Sequence, residues 1–468
     1  MDRNGSWLWT AVVLAVATPV LSVLGLVLWL TPYPLSEGVA LVEDVSSPIA
    51  AAEFLLPTRA YYRPLFHLTL FTAWQSAGSV STFVTIVRLL HLVPLAVLAS
   101  VFVVHLRPKT PTDAAAATVA VAVLMGSPAF LDNIEIPLTY TIVGMAALVG
   151  SWVLWERPQR PWRTPALVAL AVLAIGFKEQ GLVIVPLLVA AWWTGAPGAS
   201  RAASLSVTVL GGLYVSLRLL YRGHWATFEQ DIGYGFDYLS AADATARFGA
   251  SPLGMYGYNA VSTMASVLFT EPQSGVFSIT RAIVRGEVVP WQIANLASSV
   301  CLTGLIAWWG VTVARRDGAA GWSRESRTIV VLLVGLAASG LLSFNYSRDR
   351  LGGMALVPYA AASYFAVRAA LSRTVDAPTV RRVFGVLALV LLACTWQVRT
   401  LRMLDGARKR AVDNRKEWVT DLYGRRAEFA GRSDYLRAME ALVPQGTAPL
   451  SVRPPRYARW ALTLLGPS

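Results

Sequence analysis

Apolar runs long enough to cross a lipid bilayer recur along almost the whole chain, and arginine gathers at every second break between them. Eleven runs are read: about residues 7–30, 82–106, 113–131, 138–155, 164–177, 182–193, 202–220, 289–314, 328–344, 351–371 and 383–398. At about 1.5 Å per residue, roughly 20 residues of helix cross some 30 Å of hydrocarbon. A spanning segment must satisfy its own backbone polar groups, which a helix does within itself. The expected fold is therefore all-α: a polytopic membrane helical bundle of about 11 spans, with outer-face loops and a short soluble C-terminal tail. The first run, Trp7 to Leu30, exceeds a signal-peptide core and has no small-x-small site before Thr31. It reads as a retained span.

Composition agrees. Charged residues make up 14% of the chain and apolar ones 55%, where a soluble domain carries about 25% charged residues. The net charge of +13 does not point to nucleic acid, because the arginines sit at the ends of apolar runs. Cys301 and Cys394 lie inside apolar runs and read as small core residues, not as a disulfide. Residues 1–400 are expected to form the membrane domain. It would include a first outer loop, 31–81, whose end from Leu65 to Ala77 is too short to span and suits an interfacial helix. Residues 221–289 read as a long outer loop, and 401–468 as a basic soluble tail.

Alternate loops hold Arg107 and Lys109; Arg157, Arg160 and Arg163; Arg201; Arg315, Arg316, Arg324 and Arg327; Arg373, Arg381 and Arg382. The positive-inside rule makes these cytoplasmic. The opposite face then collects Glu43 and Asp44, Arg63, Asp132 and Glu135, Lys178 and Glu179, and the cluster Arg348-Asp349-Arg350. With eleven spans and the N-terminus inside, the tail falls outside. Ionisable groups at membrane depth pair with one another or line a wet cavity. Cations there suit a phosphate, and a carboxylate suits taking a proton from a hydroxyl. The four histidines are too scattered for a metal or catalytic set, and the many tryptophans fit interfacial belts.

Three pieces carry a family resemblance. They are Glu43-Asp44 in the first outer loop, Tyr62-Arg63-Pro64-Leu65 at its exit, and Phe177-Lys178-Glu179-Gln180-Gly181 at the end of the fifth run. In this order the chain resembles the GT-C class of membrane glycosyltransferases, which includes protein O-mannosyltransferases and lipid A aminoarabinose transferases. The resemblance covers about residues 7 to 195. It implies transfer of a sugar from a polyprenyl-phosphate carrier to a glycan, lipid or protein acceptor at the outer face. The implied base is Asp44, with Glu43 beside it. Arg63, Lys178, Arg348 and Arg350 would hold the donor phosphate, and Asp132, Glu135 and Glu179 would line the cavity or meet the acceptor. Cofactors are expected to be none, with metal dependence open. The expected location is a bacterial inner membrane, with the site extracytoplasmic. A lipid-linked substrate transporter or flippase would instead show paired inverted repeats and Gly/Pro-broken spans, which the sequence lacks. A non-catalytic membrane scaffold would leave the outer carboxylates dispensable.

Overall fold

The computed structural model describes residues 3–30, 62–77, 80–135, 140–222, 233–234, 237–251, 253–269, 276–318, 321–375 and 378–415. Most of these residues are helical. In chain order they form α1 (Arg3–Leu30), α2 (Pro64–Ser76), α3 (Val80–Leu106), α4 (Pro111–Met125), α5 (Pro128–Glu135), α6 (Tyr140–Trp155) and α7 (Arg163–Phe177). A 3-10 turn, Glu179–Val183, leads into α8 (Ile184–Trp193), and α9 (Arg201–Arg222) follows. Next come α10 (Ala241–Phe248), α11 (Leu253–Phe269), α12 (Val276–Arg285), α13 (Pro290–Asp317) and α14 (Arg324–Leu342). A second 3-10 turn, Asp349–Gly352, precedes α15 (Gly353–Val375), and α16 (Thr379–Arg415) closes the described chain.

Among the described residues, seven helices are long and apolar enough to cross a membrane, and four apolar segments are shorter: 111–125, 141–155, 163–177 and 179–193. The membrane-protein reading therefore stands on seven long helices. The third apolar run is not one helix. It breaks at Gly126, the C-cap of α4, and resumes as α5 at Pro128, because proline suits the first turn of a new helix better than the interior of an old one. The last described helix, α16, continues past residue 400 to Arg415, and the rest of the expected tail lies outside the described residues. Cys301 and Cys394 are free, as read, but exposed on the helix surfaces rather than in the core.

The centre of the bundle is α15. Its first turns, from Met354 to Val367, are almost entirely buried. It packs on α4, α14, α13, α6 and α16. The facing surfaces are rich in alanine: Ala114, Ala116, Ala117 and Ala120 on α4, and Ala355, Ala360, Ala361, Ala362 and Ala366 on α15. Lipid tails are as apolar as a side chain, so helices associate in a membrane by close backbone approach, which small residues permit. Larger rings fill the remaining gaps, as where Trp309 stacks on Phe365 with centroids 5.6 Å apart.

The arginine-rich loops gather at one end of this bundle. Arg327 makes a two-pronged bond to Glu156, at 2.8 and 3.1 Å. Arg324 donates to the carbonyl of His105, and Arg368 pairs with Asp113 at 2.8 Å. Asp113 also accepts from the backbone N–H groups of Lys109 and Thr110, capping α4. At the opposite end, β1 (Gly233–Tyr234) pairs antiparallel with β2 (Asp237–Tyr238) and parallel with β3 (Tyr346–Ser347). The register sets Gly233 opposite Tyr346 and Tyr234 opposite Ser347. Part of the long 221–289 region is thereby fastened to the polar cluster after α14.

Gly181 is where α7 and the following turn come closest. A Cβ at this position would collide with the backbone of Ala174 and Ile175, which cannot move without unwinding α7. Gly181→Ala should therefore cost about 1–3 kcal/mol, as overpacking does, and lower the midpoint of thermal unfolding in detergent. Gly212, which has open space around it on α9, gives the contrast. Gly212→Ala should leave the midpoint unchanged or raise it, since alanine favours the helix by roughly 0.5–1 kcal/mol.

Candidate functional site

The site is built where the first loop re-enters the bundle. Pro64 stands at the first turn of α2, whose N-cap is Arg63. Phe66, His67, Leu70 and Ala73 bury one face of this helix against α3 and α7. Its entry is fixed by Leu65, which lies against Gly176 of α7. A Cβ at 176 would come within 2.6 Å of Leu65 Cδ1.

Arg63 then makes a bidentate bond to Glu179. Nε and Nη2 donate to the two carboxylate oxygens at 2.9 and 2.8 Å. Both side chains are largely shielded, at 14% and 17% exposure. A planar guanidinium matched to a carboxylate in this way sets position as well as energy. Beside it, Tyr214 of α9 donates its hydroxyl hydrogen to the carbonyl of Tyr62 at 2.7 Å, and the two rings stack at 5.6 Å. Arg218, one turn further along α9, adds positive charge near Tyr214 and Glu179. The re-entry point Tyr62-Arg63 is thus clamped to two helices.

Lys178 goes the other way. Its backbone is extended (φ −160°, ψ 144°), and it caps the 3-10 turn that Glu179 begins. Neighbouring side chains on extended backbone point to opposite sides, so Glu179 reaches the loop while Lys178 turns into the bundle. There Lys178 is buried, and its ammonium donates to Thr141 Oγ1 at 3.2 Å. Thr141 also borders Gly353, the first residue of α15, where a Cβ would meet Thr141 Cγ2 at 2.9 Å and Asn133 Nδ2 at 3.3 Å.

That contact leads to a second charged group. Asn133 donates to the carbonyls of Ala129, at 2.6 Å, and Arg350, at 3.4 Å. Asp132 accepts from the backbone N–H of Arg350 at 3.2 Å and lies 3.5 Å from Arg348 Nε. Arg348 is extended (φ −155°, ψ 153°) and caps the 3-10 turn that starts at Asp349. The two polar steps of the chain therefore share one local design: an extended cation, an acid opening a 3-10 turn, and a glycine before or at the next helix. The turns close through the same bond, Gly181 N–H to Lys178 C=O at 2.8 Å and Leu351 N–H to Arg348 C=O at 3.0 Å.

An open apolar crevice borders this polar band. Phe66, Thr69 and Leu70 of α2, Val87, Leu90, His91 and Pro94 of α3, Ile142 and Val143 of α6, and Phe177 of α7 line it. Ile142 and Phe177 are the chain neighbours of Thr141 and Lys178.

Of the residues read from the sequence, Arg63, Asp132, Lys178, Glu179, Arg348 and Arg350 gather at one end of the bundle. Glu135 ends α5, and its side chain is outside the described residues. Glu43 and Asp44 lie outside the described residues altogether. Arg63 and Arg348 face carboxylates, so Glu179 and Asp132 serve as their counter-ions and hold them in place. Thr141, Asn133, Tyr214 and Arg218 were missed. The last two sit in the seventh apolar run, where their spacing of one helical turn was the available signal. Among the described residues no group of three or more His, Cys, Asp and Glu is arranged to hold a metal ion.

Three comparisons with known proteins found nothing similar: no family model matches the chain, no curated protein matches it, and no solved structure matches its fold.

The Arg63–Glu179 pair can be tested by itself. Arg63→Met leaves a shielded carboxylate without its partner and should destabilise the protein by roughly 3 kcal/mol, the lower end for a broken buried pair. Removing both charges in Arg63→Met/Glu179→Met should recover most of that loss. Arg63→Lys should recover little, because an ammonium cannot make the two-pronged bond. Thermal unfolding midpoints of the four proteins check all three expectations.

Proposed function

We propose that the protein is a membrane glycosyltransferase of the GT-C type, transferring a sugar from a polyprenyl-phosphate carrier to a hydroxyl acceptor at the outer face of the membrane. The observation that carries this reading is the convergence of Lys178, Arg348 and Arg350 from distant parts of the chain at one end of the bundle, near an apolar crevice whose lining includes the chain neighbours of Thr141 and Lys178. A lipid phosphate has that character, with an apolar chain on one side and concentrated negative charge on the other. Cations fixed by counter-ions and hydrogen bonds before the substrate arrives stabilise developing phosphate charge without reorganising.

In this reading the acceptor oxygen attacks the anomeric carbon, and the bond from that carbon to the lipid phosphate breaks. The phosphate leaves with its electron pair, against Lys178 and the arginines. The acceptor proton goes to a first-loop carboxylate, Asp44, with Glu43 its neighbour. Arg63 is then a positioning residue. It anchors the end of the first loop through Glu179, and so limits where the loop's carboxylates reach. Asp132 positions the arginine segment, and Glu135 stands at the same end for the acceptor.

The span count belongs to the same reading. Counting the four shorter apolar segments as crossings beside the seven long helices gives eleven. Eleven crossings put the Lys178 end outside and the arginine loops in the cytoplasm, as in a bacterial inner membrane.

Two measurements test the proposal. In a background with Cys301 and Cys394 changed to serine, cysteines placed at Ser46 and Ser274 should label from outside intact cells. Labelling only after permeabilisation would reverse the orientation. In purified protein supplied with polyprenyl-phosphate sugars, Asp44→Asn should remain folded and bind donor. It should lose roughly 100- to 10,000-fold in transfer rate, the contribution expected of a general base. Lys178→Ala should lose donor binding itself. Unchanged transfer in both Lys178→Ala and an Asp44→Asn/Glu43→Gln double variant would overturn the enzymatic reading.

A further inference from the structure

The arginine loop between α6 and α7 does more than mark a side of the membrane. Arg163, the first residue of α7, is buried at 5% exposure. Its Nε and Nη1 have no hydrogen-bond partner. What surrounds it is not negative: the positive charges of Arg160 and Arg157 act on it, and its guanidinium lies 5.5 Å from the centre of the Trp162 ring. The one carboxylate in the loop, Glu156, is held by both prongs of Arg327. A shielded guanidinium with unused donors among like charges is costly, and an anion between the three arginines would relieve that cost.

The geometry favours a fixed site over a loose charged loop. Pro158 and Pro161 restrict the backbone, and the turn closes through Arg163 N–H to Arg160 C=O at 3.0 Å. The turn after α8 straps it down, with Gly198 N–H donating to Trp155 C=O at 2.7 Å. The N-terminus of α7 has no side-chain cap, so its positive end adds to the field. Trp162, Trp193 and Trp322 are exposed around this end, at 52%, 67% and 45%, with Trp193 and Trp322 in contact. Indoles in such a ring sit at the headgroup level of a bilayer.

We infer that Arg157, Arg160 and Arg163 form a binding site for a phosphate group, and that the phosphate belongs to an anionic phospholipid of the leaflet at this end. Basic pockets between membrane helices hold such headgroups, and guanidinium forks match phosphate oxygens. The site lies at the opposite end of the bundle from Lys178 and does not depend on the proposed transferase chemistry.

The test uses the full-length protein in mixed micelles containing phosphatidylglycerol or phosphatidylcholine at equal mole fraction. Bound lipid is counted by native mass spectrometry, with thermal stability followed in parallel. The wild type should retain phosphatidylglycerol selectively and be stabilised by it. Arg163→Gln should weaken that retention about tenfold, the effect of losing one charge-assisted partner. If Arg163→Gln does not fold, Arg157→Gln/Arg160→Gln decides the matter, since both side chains are exposed and should leave folding intact. Lys109→Gln/Arg315→Gln removes as much charge from exposed positions at the same end and should leave selectivity unchanged. Inorganic phosphate forms a separate arm: stabilisation by phosphate alone, without lipid selectivity, would keep the site but make its ligand a soluble phosphate. Equal retention of both lipids with no response to phosphate would overturn the proposal. So would equal losses in the Arg157/Arg160 and Lys109/Arg315 variants, which would mark the effect as bulk charge.

Discussion

The alanine seam between α4 and α15 is the contact on which the rest depends. In lipid there is no hydrophobic gain from burying one apolar helix against another, so the seam must work by fit. Its alanines bring two backbones close over several turns. The ends of the two helices then meet in register. At one end Arg368 of α15 reaches Asp113 of α4. At the other, the Asp349–Gly352 turn before α15 sits beside α5, the continuation of α4, so that Asp132 and Asn133 can bind the Arg350 backbone. A bulky residue in the seam would separate both ends together. The polar chemistry at the membrane surface is thus set by packing inside it.

Much of this was legible in the sequence, because in a membrane protein length, apolarity and charge position are coupled by the solvent. The helices fell close to the expected runs, and the arginine loops came together at one end. The two short motifs prove to be each other's partners. Arg63 binds Glu179, Leu65 rests on Gly176, and Gly181 allows its turn to close against α7. Each motif by itself is only a few residues that could stand anywhere, and their meaning lies in the fit between them. What the sequence hid was of another kind. The break at Gly126 lies inside an unbroken apolar run, where hydropathy has no signal. Tyr214 and Arg218 were absorbed into a span because two polar residues barely change its average. Thr141 is an ordinary helix-start residue until Lys178 is placed beside it. Apolar neighbours make Cys301 and Cys394 look like core residues in the sequence, but both are exposed, because a membrane helix turns apolar side chains to lipid as well as to protein.

The two charged ends solve the same problem differently. A charge near the membrane must be solvated, paired or brought to the headgroups. At the arginine end, Arg327 and Arg368 have their own carboxylates, and Arg324 has a carbonyl. The 157–163 loop has none to spare, and its arginines stand among exposed tryptophans instead. At the lysine end the carboxylates hold the backbone steps in place more than they neutralise the region. Glu179 fixes the loop through Arg63, and Asp132 fixes the Arg348–Arg350 segment.

The repeated step of cation, acid, 3-10 turn and helix explains how that end can hold its cations rigidly. An acid at the start of the turn favours it through the exposed N–H groups, so the carboxylate belongs to the fold whether or not it meets an arginine. The preceding residue is extended and lies outside the helix, and its side chain points away from the acid next to it. Sequence neighbours of opposite charge are thereby kept from cancelling one another: Lys178 turns to Thr141 while Glu179 turns to Arg63. In a continuous helix residues 178 and 179 would leave the axis about 100° apart, short of the opposite directions that the extended step gives them.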